Sequence, residues 1–410
     1  MSQQQLELPK GWIIKKISEL TKSYSGGTPS TSVKDYWNSN DVPWIKSGEI
    51  KDNIIKESQS FISKKGYENS SAKLYPKETV LVAITGATTG KTAYLLTGAC
   101  GTQNVFGILP CESIFQKYLW YFMRNYYSKI LAKVIGTAQK HVNGTIIKNT
   151  PIPLPPLNEQ KRIVTKIEEL FSKIDSTKQS LEHTKLQLEQ YRYSLLKYLF
   201  EGKEWKKIKI GDHLNFQYGK GLPKKDRKQG KIPVYGSSGI DGYHNEALVK
   251  TPSLIIGRKG TAGHVQFADH PFWAIDTTYF IEETKIYNLK FLYHLLIHLR
   301  LGSLDSSTAV PSLRRDDAYA LEIPLPSIEE QEQIVSQIEQ SFSLTENSQN
   351  IVNSTLQTLE TMRMSVLKQA FQGKLVPQDP NDEPASILLE KIKKSQVDLK
   401  PKLGRAKNVK

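Results

Sequence analysis

The chain is poor in cysteine: Cys100 and Cys111 are the only two in its 410 residues. Two thiols cannot build a disulfide framework or a four-thiolate metal site. The eight histidines are scattered and make no metal spacing with them. Long apolar runs are lacking as well. No stretch approaches the ~20 residues that cross a bilayer, and residues 1–10 are polar without a signal-peptide core. The expected location is therefore cytoplasmic. Acidic charge is in deficit, 41 Asp and Glu against 56 Lys and Arg, for a net charge of +15. Such an excess favours a polyanionic partner. No basic amphipathic helix stands out, so nucleic acid comes before membrane.

Catalytic signatures are also missing. There is no Gly-x-Ser-x-Gly elbow. Pro155-Pro156 lies between Leu154 and Leu157, so it carries no acceptor for a base amine, as an adenine methyltransferase loop would need. Gly86-Ala87-Thr88-Thr89-Gly90-Lys91-Thr92 looks like a phosphate-binding loop. That motif, however, needs four residues between its glycines, and here there are three. The matching stretch of the second half, Arg258 to His264, keeps the glycines and loses the Lys-Thr. A nucleotide-driven ATPase built on Lys91 is the alternative from another class of function. ATP turnover abolished by Lys91→Ala would favour it.

What is present is a duplication. Residues 152–203 repeat as 323–374 without a gap, and 22 of the 52 aligned positions are identical. Each copy opens on Ile-Pro-Leu-Pro, passes through Glu-Gln (Glu159-Gln160, Glu330-Gln331) and runs on as a long helix-periodic segment. The Pro-x-Pro run is extended, because proline cannot sit in a helix interior. Ser327 and Glu330 have capping-box spacing, Asn158 is the expected N-cap of the first copy, and Gly202 and Gly373 mark the stops. In the first copy Ile163, Ile167, Leu170, Ile174, Thr177, Leu181, Thr184, Leu188, Tyr191, Leu195 and Tyr198 fall at alternating steps of four and three. That is a heptad seam for a partner helix. The second copy has Ile334, Ile338, Leu359 and Val366 in register. Ser341, Thr345, Ser348 and Thr355 make its middle polar. The expected pairing is of the two helices with each other.

The rest divides accordingly. A first globule spans 1–157 and a helix 158–203; a second globule spans 204–327 and a helix 328–374; a tail follows at 375–410. Both globules read as mixed α and β. Val42–Ile45 and residues 79–84 look like buried strands, and residues 115–131 have helical spacing and aromatic bulk. Trp205, Ile208 and Ile210 restate Trp12 and Ile17; residues 252–257 restate the strand at Leu81; residues 287–301 restate the aromatic helix. Thr308-Ala309 stands 171 positions after Thr137-Ala138, so the register holds before the long helix begins. The tail is Pro- and Asp-rich, then a short helix at 385–392, then a Lys-rich solvated end.

Basic and amide residues on Gly-rich turns are the candidate DNA contacts. In the first globule these are Lys46, Ser47, Lys91, Gln103, Asn104, Gln139, Lys140 and Asn143. In the second they are Lys220, Lys224, Lys225, Ser237, Arg258, Lys259, Arg314 and Arg315. Arg and Lys suit phosphates and guanine edges, Asn and Gln suit adenine edges.

Five groups of residues carry a family resemblance: the duplicated Pro-Leu-Pro-Pro-Leu-x-Glu-Gln segment (153–160, and 324–331 with Ser327 and Ile328 departing), Leu8-Pro9-Lys10-Gly11-Trp12, Gly27-Thr28-Pro29-Ser30, Pro233-Val234-Tyr235-Gly236 with Gly239 and Gly242, and Gly373-Lys374-Leu375-Val376. Over nearly its whole length the chain resembles the specificity subunit of a type I restriction-modification system. The resemblance implies an α+β fold of two target recognition domains. These are joined by two long helices paired as an antiparallel coiled coil with a pseudo-twofold repeat. It implies a non-catalytic reader of an asymmetric bipartite DNA site. It also implies a platform for two methyltransferase subunits and for restriction subunits, or for a modification-only enzyme. Glu159, Gln160, Ile163, Ile167, Leu181, Leu188, Leu195, Glu330, Gln331, Ile334, Ile338, Leu359 and Val366 would form the coiled coil and docking surface. S-adenosylmethionine, ATP and Mg2+ would belong to the partners, with no cofactor in this chain. A continuous helix over the 43 residues Glu159 to Glu201 is roughly 65 Å long at ~1.5 Å per residue. Half-sites one DNA turn apart need only ~34 Å. A seven-residue change near Thr177 is expected to alter only the unread spacer, by ~10 Å or about three base pairs.

Overall fold

The computed structural model describes residues 8–131, 142–282, 284–305 and 310–398. Gln139, Lys140, the Thr137/Thr308 register match and the end of the Lys-rich tail lie outside the described residues. The chain divides into two compact units, Met1–Lys178 with Gln357–Lys410, and Gln179–Leu356. Residues of each long helix thus belong to both units, the first helix being divided after Lys178 and the second after Leu356.

In the first unit the strand Val80–Ala83 is buried along its whole length, as its continuous apolar run predicts. It pairs antiparallel with Val105–Ile108 on one side and with Thr92–Leu95 on the other. Ser23–Ser25 extends the sheet beyond Val105–Ile108, and Asn53–Ile55 runs parallel beyond Thr92–Leu95. A second sheet sets Val42–Ile45 parallel to Ala99–Gly101, with Phe61–Ile62 and Leu74–Tyr75 at its edges. The helix Gln116–Leu131 packs on the first sheet, its Trp120 ring 5.8 Å from that of Tyr94. Ile13–Lys16 and Pro151–Leu154 pair at the base, beside the long helix.

The second unit repeats this plan. Ser253–Gly257 is the buried central strand, antiparallel to Thr278–Glu282 and to Val265–Ala268, and Gln217–Tyr218 adds at the edge. The order of these four strands matches that of the first unit, whose fifth strand, Asn53–Ile55, has no counterpart in this sheet. Ile232–Gly236 runs parallel to Trp273–Ala274, as Val42–Ile45 does to Ala99–Gly101. Lys207–Lys209 pairs with Glu322–Pro324 at the base, and Leu289–His298 is the counterpart helix. Leu196, Leu199, Phe200, Ile334, Val335 and Ile338 of the long helices join the core of this globule.

The long helices are Leu157–Phe200 and Ile328–Ala370. The second begins as its spacing predicts: Ser327 Oγ accepts from the Glu330 amide at 3.3 Å, and Glu330 Oε2 from the Ser327 amide at 2.9 Å. The first begins earlier than expected. The Gln160 amide donates to Pro156 O at 2.9 Å, so Pro156 is the cap and Asn158 is an exposed residue of the first turn. Proline has no N–H to give a capping box, and its φ is already close to helical. Gly202 and Gly373 end the helices with φ of 75° and 69°, a conformation cheap only for glycine.

The helices pair antiparallel within each unit. In the first, Asp175 pairs with Arg363 and Lys178 with Glu360 at 3.4 Å. In the second, Arg192 lies over Phe342, 4.2 Å from the ring centre, with residues 196–200 and 334–338 in one core. The first seam departs from a strict heptad. Phe171 rather than Leu170 is buried after Ile167, Thr177 and Thr184 are exposed, and Tyr191 and Tyr198 face solvent at 50% and 76% exposure. A straight helix drifts about 20° per heptad, so the buried stripe moves to Arg192, Leu195, Leu196 and Leu199. The polar middle of the second seam is accommodated by small hydroxyls bonded to their own helix. Buried Thr345 donates to Phe342 O at 2.9 Å, and Thr355 to Ile351 O at 2.8 Å.

Candidate nucleic-acid interface

In both units the candidate residues cluster at the turn that follows the central strand. In the first unit Ala83 donates to Lys91 O at 2.9 Å and Gly90 to Ala83 O at 2.7 Å, closing a hairpin between two antiparallel strands. Ile84 then donates to Asn104 O at 2.9 Å and accepts from the Val142 amide at 2.8 Å. Thr88 Oγ1 donates to Ser47 O at 2.7 Å. These bonds gather Lys46, Ser47, Lys91, Asn104 and Asn143 around one turn. Asn143 caps the helix Gly144–Lys148, its Oδ1 2.9 Å from the Thr145 amide. Gln103 stands apart, exposed and bonded to Thr28.

The hairpin overturns the nucleotide-site reading of Lys91. A phosphate-binding loop leads into a helix whose free amides face the phosphates, and here a strand follows. Lys91 Nζ is held by Asp52 Oδ2 at 2.7 Å, and the other carboxylate oxygen accepts from the Thr92 amide and hydroxyl at 3.0 and 3.1 Å.

The second unit makes the same turn with other side chains. Gly257 donates to His264 O at 2.8 Å and Gly263 to Gly257 O at 2.7 Å. Arg258 donates from its backbone to Thr277 O and accepts from the Leu313 amide, both at 2.8 Å. Lys259 forms a bridge with Ser312. The pairs Arg258-Lys259 and Arg314-Arg315, 56 positions apart in sequence, therefore share one edge. Ser237 belongs to it: its Oγ accepts from the Thr261 amide at 3.5 Å, and its carbonyl lies 3.1 Å from His264 Nδ1. Exposed Tyr218 lies near two guanidinium groups, 5.5 Å from Arg258 and 5.1 Å from Arg315, within cation–π range. Lys220 follows on the Gly-rich strand end, its carbonyl accepting from the Trp273 indole at 2.8 Å.

Lys224 and Lys225 stand elsewhere on this unit, in the short helix Lys224–Asp226. Lys224 pairs with Asp241 at 3.3 Å, beside Arg227 at 2.8 Å. The Arg227 and Lys224 bonds hold the Asp241 carboxyl below its usual range. Sequence reasoning missed Tyr218, Asp52 and Arg227. The run Tyr218-Gly219-Lys220-Gly221, an aromatic among glycines, was the available signal for the first. Nothing local marks the other two.

Glycine is required where the edge strand of each unit turns away. A Cβ on Gly26 would collide with the Gly101 carbonyl, and one on Gly219 with that of Ile275. This fixes the close approach that presents Tyr218.

Within the Glu-Gln pairs at the helix starts, the glutamines are placed differently from the docking surface expected of them. Gln160 and Gln331 are fully buried. Gln160 accepts from the Phe115 amide at 2.8 Å and donates to Pro155 O at 2.9 Å. Gln331 accepts from the Asn288 amide at 2.7 Å and donates to Ile286 O and Pro326 O at 3.0 and 3.1 Å. Each side chain thus pins the aromatic helix of its globule to the long helix. Ile163, Ile167, Ile334, Ile338 and Leu359 are buried and Leu181, Leu188, Leu195 and Val366 half-buried, along the paired faces. Glu159 is buried and Glu330 exposed.

The sequence family described as the type I restriction modification DNA specificity domain matches residues 9–186 and 202–355, once in each half. The specificity subunit of the type I restriction enzyme EcoR124I/EcoR124II from Escherichia coli is 28% identical over 38% of this chain and 40% of its own length, so that alignment spans about two fifths of the relative. The EcoprrI specificity subunit, also from Escherichia coli, is 27% identical over 80% of this chain and 87% of its own. A chain solved in work on complex assembly and conformational transition of the type I R-M system superposes with a TM-score of 0.77 at 19% identity. It covers 90% of this chain and 99% of that one, and so has the same fold. Among the described residues no helix is long and apolar enough to cross a membrane.

Proposed function

The chain belongs to the type I restriction modification DNA specificity family, and on that premise we propose that it reads an asymmetric DNA site in two parts and holds methyltransferase subunits in register over it. The observation that carries this reading is one strand order used twice, with different side chains on the turn after the central strand. A shared plan supplies equivalent seats for two stretches of duplex, and different side chains select different bases. An adenine must leave the base stack to be methylated, so a separate reader that first fixes the register suits that chemistry. The chain's own residues bind and orient. S-adenosylmethionine would be held by the methyltransferase partners, and ATP with Mg2+ by restriction subunits where those join. The complex would work in the cytoplasm.

Co-expression with a methyltransferase partner, followed by mapping of methylated adenines across the host genome, tests this. The expected motif has two defined segments that differ from each other, separated by bases that are not read. A palindrome, or one uninterrupted site, would overturn it.

A further inference from the structure

The turn after the central strand has the same backbone in both units, so its side chains can be compared place for place. Ala83, Ile84 and Lys91 correspond to Gly257, Arg258 and His264 by their hydrogen bonds. Gly26 donates to Val105 O and Gly219 to Thr278 O, both at 3.0 Å, so Ser25 corresponds to Tyr218. The helices Gly144–Lys148 and Arg315–Tyr319 match at their first residues. At three neighbouring places the first unit therefore has Ile84, Ser25 and Gly144, and the second has Arg258, Tyr218 and Arg315. Ile84 is buried and Gly144 lies against the Phe106 ring, so among the described residues these three places in the first unit carry no cation.

Arg258 is held in one orientation. Its Nε and one terminal nitrogen donate to Asp276 O at 3.0 and 2.7 Å, and its guanidinium lies over Tyr218. The rest of the fork is left for a ligand, on a side chain whose rotamer entropy is already spent. Arg315, on the same ring, has an Nε with no acceptor. A rigid guanidinium fork matches O6 and N7 of guanine in the major groove, the commonest specific protein–DNA contact.

We propose that Arg258 reads a guanine, so that the half-site served by the second unit contains a G·C pair that the first unit does not select at the matching place. Tyr218 and Arg315 position it. This rests on the reading proposed above.

The test is a methylated-adenine map for the complex carrying Arg258→Ala, beside wild type. One G·C position in one half-site should become degenerate, with preference for guanine there falling about tenfold or more, while the other half-site stays unchanged. Arg258→Lys keeps the charge but loses the fork, and should relax the same position less. This variant decides the matter if the alanine complex methylates nothing. An unchanged motif, or an even fall over all sequences, would overturn the inference and leave the bipartite reading standing. A wild-type motif that is not bipartite would overturn both.

Discussion

The two units answer one structural problem with shared parts and a few differences. Each has its long helix pinned by a buried Gln. Each has a lysine of the aromatic helix paired to a long-helix glutamate, Lys117 to Glu168 at 2.7 Å and Lys290 to Glu339 at 2.6 Å. Each sets an Arg of one long helix over a Phe of the other, Arg363 on Phe171 at 4.6 Å and Arg192 on Phe342 at 4.2 Å. They part at the glutamate beside the buried Gln. In the second unit Glu330 is exposed. The Ser327 amide, then the Trp205 indole at 3.3 Å, hold its carboxyl below the ordinary range. In the first unit the segment after the second long helix covers the same place. Asp382 binds Arg162 at 2.7 Å, Gln378 donates to Lys10 O at 2.8 Å, and burial raises Glu159. The repeat conserves what fastens helix to globule. What covers the fastening is decided by the chain's route.

The largest difference between the units should come from the rings under the arginines. Phe171 is buried and Phe342 only half so. Phe171→Ala should cost about 3–5 kcal/mol, and Phe342→Ala less. Urea unfolding measures both, and equal losses would show that the two seams are packed alike.

Next is an acid sensitivity confined to the second unit. His294 stacks edge-on to Phe342 where Tyr121 does so on Phe171. Burial lowers His294 from 6.5 to about 4, against a pull from Glu339 and with Lys290 and Arg192 nearby. A depressed histidine binds its proton in the unfolded state first. Stability is therefore complete above about pH 6.5 and falls until about pH 4, by roughly 3 kcal/mol at most. The loss should vanish from the pH dependence of His294→Tyr, which makes the second unit like the first. The same slope in both proteins would refute it.

Gln160→Ala takes the partner from a backbone amide and a carbonyl, and Gln331→Ala from an amide and two carbonyls, each at about 1–3 kcal/mol. Hydrogen exchange should quicken in Gln116–Leu131 for the former and in Leu289–His298 for the latter, each in its own unit alone. The smallest effect belongs to the repeated Lys–Glu pairs. They are partly exposed, so Lys117→Ala and Lys290→Ala should each cost under about 1 kcal/mol, and less in high salt.

Much of this was legible in the residues. The duplication, the helix stops at Gly202 and Gly373, the capping box at Ser327, and the strands at Val80 and Ser253 follow from local chemistry: periodicity, φ > 0 and side chain-to-amide bonds three residues apart. Two local expectations failed for reasons just as local. Asn158 gave way to Pro156 as the cap, and Tyr191 and Tyr198 were carried off the seam by helical drift. The repeat also foretold two globules on one plan, although outside the helices the sequences share little.

Only the tertiary structure decided the rest. Lys91 looks like a phosphate ligand until Asp52, 39 positions away, is seen holding it. Gln160 reads as surface until its carboxamide is found between Phe115 and Pro155. Arg258 and Arg315 become one site through a bridge and a tyrosine that no spacing links. Sequence reports what neighbours along the chain do to each other. A buried hydrogen bond or a shared ring depends on which distant residues the fold brings within 3 to 6 Å, and that is set by packing.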